Sequence, residues 1–345
     1  MEKPPITKLV LLKDTNPLIN IILQCLSNIK DLIAYYLNPV KETKILKKSK
    51  NNPGNNYLGP SFLNLLDHLW KSNKNEFSPK EIHDTLKNLM KNDYNSNDAG
   101  LIIKYILNQL NKELNENENP IKNNEDDFME HLNKDETFKK YINNMKENRT
   151  CISERFYSTI QIRKKCTNCS PDLAYYAYYY EPSPVIDVFL EVSQDNILNN
   201  LSFEEHLKSF LLEKENETIQ EHCLFCDSQQ GKLLSKDIIT TPQVLIVNIN
   251  RNNDKANKIS FKYPLQFSGK NIINKDYDLP DYELTCVIRK VNNNNNMEYH
   301  LFYKCFVDNS WYGYNNTKII SFQDNYQKYI SDDKNTCVII YTKKH

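Results

Sequence analysis

Leu11-Leu12-Lys13-Asp14-Thr15-Asn16-Pro17-Leu18-Ile19-Asn20-Ile21-Ile22-Leu23-Gln24-Cys25-Leu26-Ser27-Asn28 is the stretch on which the rest of the chain turns. It reads as a loop feeding a buried helix. Asn16 is placed to cap that helix by accepting a hydrogen bond from an orphan backbone N–H of the first turn. Pro17 then falls at the first helical position, where its missing N–H costs nothing and its fixed φ suits the helix. Leu18, Ile19, Ile22, Leu23 and Leu26 fall at i, i+1, i+4, i+5 and i+8, so one face is strongly apolar.

Downstream of this helix the pattern stays helical for about a hundred residues. Ile29–Leu37 reads as a second short helix, and basic, Asn-rich Lys41–Tyr57 as a loop. Leu58–Trp70 has helical spacing. Ser78 and Pro79 read as cap and first position of a helix running to about Met90. Asn97-Asp98-Ala99 caps a further helix, Gly100–Leu114, with Asp98 as the N-cap. Asn115–Asn148 is a polar insertion with one weak helix from about Asp126 to Met145. From Cys151 onward alternation takes over. Strands are expected at Phe156–Ile162, Pro184–Val192, Gln243–Asn250, Tyr282–Val291, Tyr299–Val307 and Cys337–Tyr341. One helix interrupts them, Ser202–Leu212, opened by a Ser202/Glu205 capping box. Helices first and strands after, without βαβ alternation, imply an α+β fold with an antiparallel sheet.

Bulk properties narrow the function classes. The 345 residues carry 44 basic and 44 acidic side chains, so no charge excess points to a nucleic-acid surface or an acidic tail. A mean hydropathy of −0.67 is polar for a globular chain and implies long polar loops. With only six glycines, turns must lean on Asn and Asp, which tolerate the left-handed region. Met1–Val10 lacks the apolar core and cleavage site of a secretory leader. No segment approaches the ~20 apolar residues of a membrane span. The expectation is a soluble intracellular protein of the cytoplasm or nucleus, without a membrane or nucleic-acid partner.

Four of the nine cysteines form two pairs, Cys166-x-x-Cys169 and Cys223-x-x-Cys226. Two such knuckles, each on a tight turn, can converge to give four thiolates around one tetrahedral Zn²⁺, the alternative being a metal-free vestige of such a site. Their separation places them on two β-hairpins, as in a zinc ribbon. With no open position, the zinc would be structural. The redox reading of C-x-x-C requires a thioredoxin-like βαβ context, which is missing. Cys25, Cys151, Cys286, Cys305 and Cys337 are scattered, mostly in apolar contexts, and read as buried free thiols.

The opening stretch resembles the Cys-box of the ubiquitin-specific protease family, which reads roughly G-L-x-N-x-G-N-T-C-[FY]-M-N-S-x-L-Q-C-L. Asn20, Leu23, Gln24, Cys25 and Leu26 match its second half without a gap. That register sets Pro17 at the family's nucleophilic cysteine, Leu12 at its oxyanion-stabilising Asn and Asp14 at a Gly. Ser96–Ile102 stands where the family has Q-Q-D-A-x-E-F, with Asp98 and Ala99 matching. The two C-x-x-C pairs correspond to the zinc site at the tip of the family's fingers subdomain. Pro242–Arg251 resembles its P-x-V-L-x-I-x-L-x-R strand, and Lys258–Pro264 its K-I-x-x-x-V-x-F-P segment. Tyr282–Ile288, Glu298–Tyr303 and Trp311–Asn316 resemble the three pieces of its last box. Counting within that box sets Tyr299 at the general base and Asn315 at the residue that orients the base. His300 lies one residue further on, and on a strand a one-residue offset points to the opposite face.

The resemblance spans about residues 9–342 and implies one papain-like domain over 1–345 of the ubiquitin-specific-protease type. The helical thumb takes about residues 9–150, with its polar insertion at 115–148. Fingers and palm take 151–345. It implies ubiquitin, a ubiquitin-like protein or a protein complex as partner. The catalytic positions, however, hold Leu12, Pro17, Tyr299 and Asn315, so oxyanion stabilisation, nucleophile and base are lost together. Cys25 lies two helical turns past Pro17, about 12 Å along the axis, too far to substitute. A catalytically inactive member is therefore expected. The alternatives are an active enzyme with rearranged residues, using His300 as a displaced base, and a zinc-stapled scaffold in an RNA-processing or other assembly.

Overall fold

The computed structural model describes residues 8–12, 15–51, 57–115, 134–166, 168, 176–190, 203, 207, 218–220, 230–251, 261–271, 281–293, 296–322, 330 and 334–344. Helix α1 (Pro17–Leu26) is buried at every residue from Leu18 to Leu26, and the Asn16 side chain accepts from the Leu18 N–H at 3.0 Å. Helices α2 (Lys30–Tyr36), α4 (Leu58–Lys71), α5 (Lys80–Met90) and α6 (Ala99–Leu114) follow the expected spans. Asp98 caps α6, accepting from Leu101 N–H at 3.0 Å.

Several local expectations need correction. Part of the expected loop at Lys41–Tyr57 is helix α3 (Pro39–Asn51). Asn38 caps it by accepting from the N–H groups of Val40 and Lys41, and Ile45 buries its one strong apolar contact. Asn38-Pro39 repeats the cap-then-proline signal of Asn16-Pro17. At α5 it is Pro79, not Ser78, that holds the N-cap position, without a side-chain cap bond. A short helix, α8 (Cys151–Phe156), precedes the first long strand; Thr150 and Ser153 close a capping box there. Within the polar insertion α7 runs Lys134–Glu147. Asp126, the expected start of that helix, lies outside the described residues, as do Ser202 and Glu205.

An eight-stranded sheet carries the second half of the chain. Its strands are β5 (Ile186–Leu190), β8 (Val244–Arg251), β9 (Gln266–Ser268), β10 (Asp281–Asn293), β11 (Asn296–Lys304), β12 (Trp311–Tyr314), β13 (Ile319–Phe322) and β14 (Thr336–Lys343). The order is β13-β12-β11-β10-β14-β8-β5, with β9 also pairing β10. It is antiparallel except for β5, which runs parallel to β8. One face, with Cys286, Ile288, Tyr299, Leu301 and Tyr303, packs on α1 and the helical layer. The other, with Val287, Phe302, Trp311 and Tyr341, forms a second core with Phe203 and Leu207. A separate sheet of β3 (Ser158–Cys166), β4 (Tyr176–Ser183), β6 (Thr218–Gln220) and β7 (Gln230–Thr240) has the order β4-β3-β7-β6. A short parallel pair, β1 (Lys8–Leu9) with β2 (Glu76–Phe77), ties the segment before α1 to the helices.

Two devices position α1 and α6 against the large sheet. Gly100 lets the first turn of α6 approach β8 so closely that a Cβ there would lie 2.1 Å from Asn248 Cγ. Asn248 Nδ2 in turn donates to Asp98 at 3.2 Å and to Asp187 at 2.8 Å. Behind α1, His83 of α5 is buried between two polar groups, with Nε2 2.7 Å from Asn20 Oδ1 and Nδ1 2.7 Å from the Tyr94 hydroxyl. Asn20 Nδ2 donates to the Val10 carbonyl, so its Oδ1 is left to accept from His83.

Burial lowers the His83 pKa to about 4, against a smaller opposing effect of Asp84. The unfolded chain therefore binds the proton near pH 6.5 and the folded chain only near pH 4. This contribution to stability is present above pH 6.5 and is lost as pH falls towards 4. Between pH 7 and pH 5 it should cost the wild type about 2 kcal/mol. His83→Gln keeps a donor for Asn20 but cannot titrate, so urea denaturation at the two pH values should show a loss smaller by about that amount. An equal loss in both proteins would contradict the assignment.

Candidate active site

The site is built where the N-terminus of α1 meets β11 and the β12–β13 turn. Pro17 occupies the first position of α1 and offers only its carbonyl, which accepts from Asn316 Nδ2 at 3.2 Å. Asn316 sits at φ 66°, in the left-handed region that Asn tolerates. The Tyr314 hydroxyl donates to the Leu9 carbonyl at 2.9 Å and lies 3.3 Å from Asn316 Oδ1. A chain of hydrogen bonds thus links the segment before α1, the end of β12, the turn and the first residue of α1.

Asn315, the residue expected in the orienting role, points elsewhere. Its Oδ1 accepts from Thr317 Oγ1 at 2.7 Å and from the N–H groups of Thr317 and Lys318, closing an exposed Asx turn. The side chain that reaches α1 is Asn316. The Asn315-Asn316 doublet carried this in the sequence, but counting alone does not tell which of two adjacent residues a turn aims inward.

Tyr299 lies on the face of β11 that carries Leu301 and Tyr303 towards the helical layer. It is 3 % exposed, and its hydroxyl donates to the Asn97 carbonyl at 3.3 Å. Burial, with the nearby Cys337 and Asp98 adding to it, pushes its pKa up to about 12. A phenol so held has no tendency to take or give a proton at neutral pH. His300 projects from the opposite face, paired across the strands with Arg289, and its Nε2 is 3.6 Å from Glu298 Oε2. It faces away from α1.

Leu12 presents an aliphatic side chain, and its carbonyl accepts from Thr15 Oγ1 at 2.7 Å. Thr15 is thereby committed to its own loop. Cys25 is 1 % exposed in the far half of α1, with its Sγ 3.0 Å from Cys286 Sγ. Asn316 is therefore bonded to Pro17 and Tyr314 to Asn316 and Leu9, Tyr299 is bonded to Asn97 before α6, and Asn315, His300 and Cys25 are engaged elsewhere. Asp98 and Asn97, expected as a helix cap and its neighbour, are joined to Asn248 and Tyr299 by hydrogen bonds.

Of the four expected zinc ligands, Cys169, Cys223 and Cys226 lie outside the described residues, and Cys166 ends β3. The flanking backbone is informative. Cys166 pairs with Gly231, Gln220 with Gln230, and Lys165 with Tyr176. The strand ends leading into both C-x-x-C segments therefore lie side by side at one end of the four-stranded sheet.

The geometry has counterparts among known proteins. The family model described as ubiquitin carboxyl-terminal hydrolase matches residues 15–341. No curated protein sequence matches the chain. Among solved structures, the chain is similar to the yeast SAGA deubiquitinase module with a mutant Sgf73, at 16% identity and TM-score 0.63, covering 100% of this chain and 70% of that one. It is similar also to the SAGA module containing Ubp8, Sgf11, Sus1 and Sgf73 bound to monoubiquitin, at 16% identity and TM-score 0.61, with 100% and 71% covered. A third is the Saccharomyces cerevisiae PAN2 pseudoubiquitin-hydrolase, at 14% identity and TM-score 0.63, with 99% and 86% covered. At such identities these likenesses speak to the fold, the papain-like α+β arrangement of ubiquitin-specific proteases. With a family match over nearly its whole length and the matching fold, the chain belongs to the ubiquitin carboxyl-terminal hydrolase family.

Proposed function

We propose that this protein is a catalytically silent member of its family that binds ubiquitin, a ubiquitin-like protein or a complex partner without cleaving it. The observation that carries the reading is the N-terminus of α1. Cysteine hydrolysis needs a thiolate there, a base within hydrogen-bond reach and a third group that orients the base. Pro17 has no side-chain heteroatom, and its carbonyl is held by Asn316. The base position is a buried tyrosine whose hydroxyl is bonded to Asn97. Without a nucleophile the covalent route is closed, and the preserved surroundings are left to bind.

The rearranged-enzyme reading fits the geometry poorly. His300 is on the wrong face of β11, and Cys25 is buried against Cys286. A partner within a larger assembly remains compatible with the inactive reading. One similar structure is that of a pseudoubiquitin-hydrolase, and another holds Ubp8 together with Sgf11, Sus1, Sgf73 and monoubiquitin. Both precedents concern those proteins and support the reading by analogy only. We place the protein inside the cell, in the cytoplasm or nucleus, where such partners are found.

We also propose a structural Zn²⁺ held by Cys166, Cys169, Cys223 and Cys226. The adjacent strand ends support it, because β3 ends at Cys166 beside the start of β7, and β6, which precedes Cys223, ends beside that same start. Bound there, zinc would staple the ends of β3 and β7 and take no part in chemistry.

Two measurements test these proposals. A ubiquitin derivative with a C-terminal electrophile should leave the protein unlabelled after hours, under conditions that label an active family member fully. Labelling that is abolished by Cys25→Ser or His300→Ala would overturn the silent reading. Metal analysis of the purified protein should find about one zinc per chain, in line with one tetrahedral site. Chelation or Cys223→Ser should remove it and lower Tm; a metal-free protein whose Tm is indifferent to chelator would overturn the zinc assignment.

A further inference from the structure

Two cysteines that the proposed function does not use meet across the main interface of the molecule. Cys25 belongs to α1, and Cys286 to β10 near the middle of the large sheet. They are 261 residues apart in sequence, yet their sulfurs are 3.0 Å apart. Their side chains are 1 % and 4 % exposed, within one apolar core. The register between β10 and β14 shifts between Leu284 and Cys286, so an irregularity in β10 immediately precedes the second cysteine. A disulfide is about 2 Å long, so bonding requires an approach of only about 1 Å.

We propose that Cys25 and Cys286 form a redox latch: an intracellular peroxide or a disulfide oxidant converts the two thiols into a disulfide that ties α1 to β10. With hydrogen peroxide, the thiolate of one cysteine attacks a peroxide oxygen, the O–O bond breaks, and a sulfenic acid and one water result. The second sulfur then attacks the sulfenic sulfur, the S–S bond forms, the S–O bond breaks, and a second water leaves. Two thiols lose two electrons in all, and the peroxide takes them. Burial holds the Cys286 thiol well above the ordinary thiol range, and the adjacent Cys25 adds to it. Attack therefore waits on local opening, which makes the latch slow and protects the thiols from higher oxidation states. Once closed, the disulfide fixes the helix that starts at Pro17 against the sheet that carries Tyr299. The latch does not depend on the proposed partner.

The test uses the full chain, treated with hydrogen peroxide or diamide and compared with the reduced protein. Free thiols are then alkylated under denaturing conditions and peptides mapped without reduction. We expect a Cys25–Cys286 linked peptide, lighter by two hydrogens than its parts, as the main cross-link among the described cysteines. Tm should rise on the order of 5 °C, because the bond closes a very long loop, and should fall back on reduction. Cys286→Ala, a small-for-small change, should abolish both the linked peptide and the rise. Recovery of Cys25 and Cys286 as alkylated thiols while Cys151 or Cys337 is oxidised would overturn the proposal. So would a linked peptide joining Cys25 to any other cysteine. The peptide map of the unmutated chain stands whether or not the variant folds.

Discussion

The side-chain amide of Asn16 holds three parts of the chain at once. Its oxygen caps α1 at Leu18, and its nitrogen donates to the carbonyls of Tyr94 and Ser96 at 2.9 and 3.0 Å. Tyr94 then meets His83, and His83 meets Asn20 on α1 itself. A closed circuit of buried, satisfied polar groups thus fixes both the start of α1 and its rotation about its axis. Such a circuit is costly to break, because each member left unpaired in the core forfeits its solvation without compensation. The approach of α6 to β8, the Tyr299–Asn97 hydrogen bond and the position of Pro17 are arranged around α1 as it is held there.

The same circuit shows that the architecture around α1 is held by groups that need not react. The groups that fix α1 are Asn16, Asn20, His83 and Tyr94, and none of them is a reacting group. Pro17 and Tyr299, which the family resemblance sets at the nucleophile and base positions, lie outside the circuit. Pro17 even suits the helix better than a cysteine would, since its fixed φ is preorganised for the first helical position. Tyr299 fills a space between the sheet and the loop before α6 and satisfies its hydroxyl there. Asn316 and Tyr314 close the remaining gap with hydrogen bonds to Pro17 and Leu9. The arrangement is a well-packed, internally bonded junction.

Much of this was legible in the sequence, and for identifiable reasons. The Asn16-Pro17 start, the Asp98 cap and the order of helices before strands are signals of local chemistry, which the fold leaves intact. The offset of His300 followed from the two-residue period of a strand, and β11 is regular across it. What was missed depended on tertiary context. Helix α3 was hidden by its lysines, although Lys48 reaches the carbonyls of Glu113 and Asn115 and Ile45 finds a buried seat. The start of α4 has no local cap, because its Leu58 and Gly59 N–H groups are taken by Glu113 of α6. The parallel pairing of β5 with β8, and the inward turn of Asn316 in place of Asn315, are likewise settled by neighbours distant in sequence.

The most direct measurement is an NMR titration of isotope-labelled ubiquitin with the unlabelled protein. Saturable perturbations confined to the flexible C-terminal tail of ubiquitin and its hydrophobic patch are expected, with the tail remaining intact throughout. A spectrum unchanged at high protein concentration would contradict ubiquitin recognition and leave a protein partner within an assembly as the ligand to be sought.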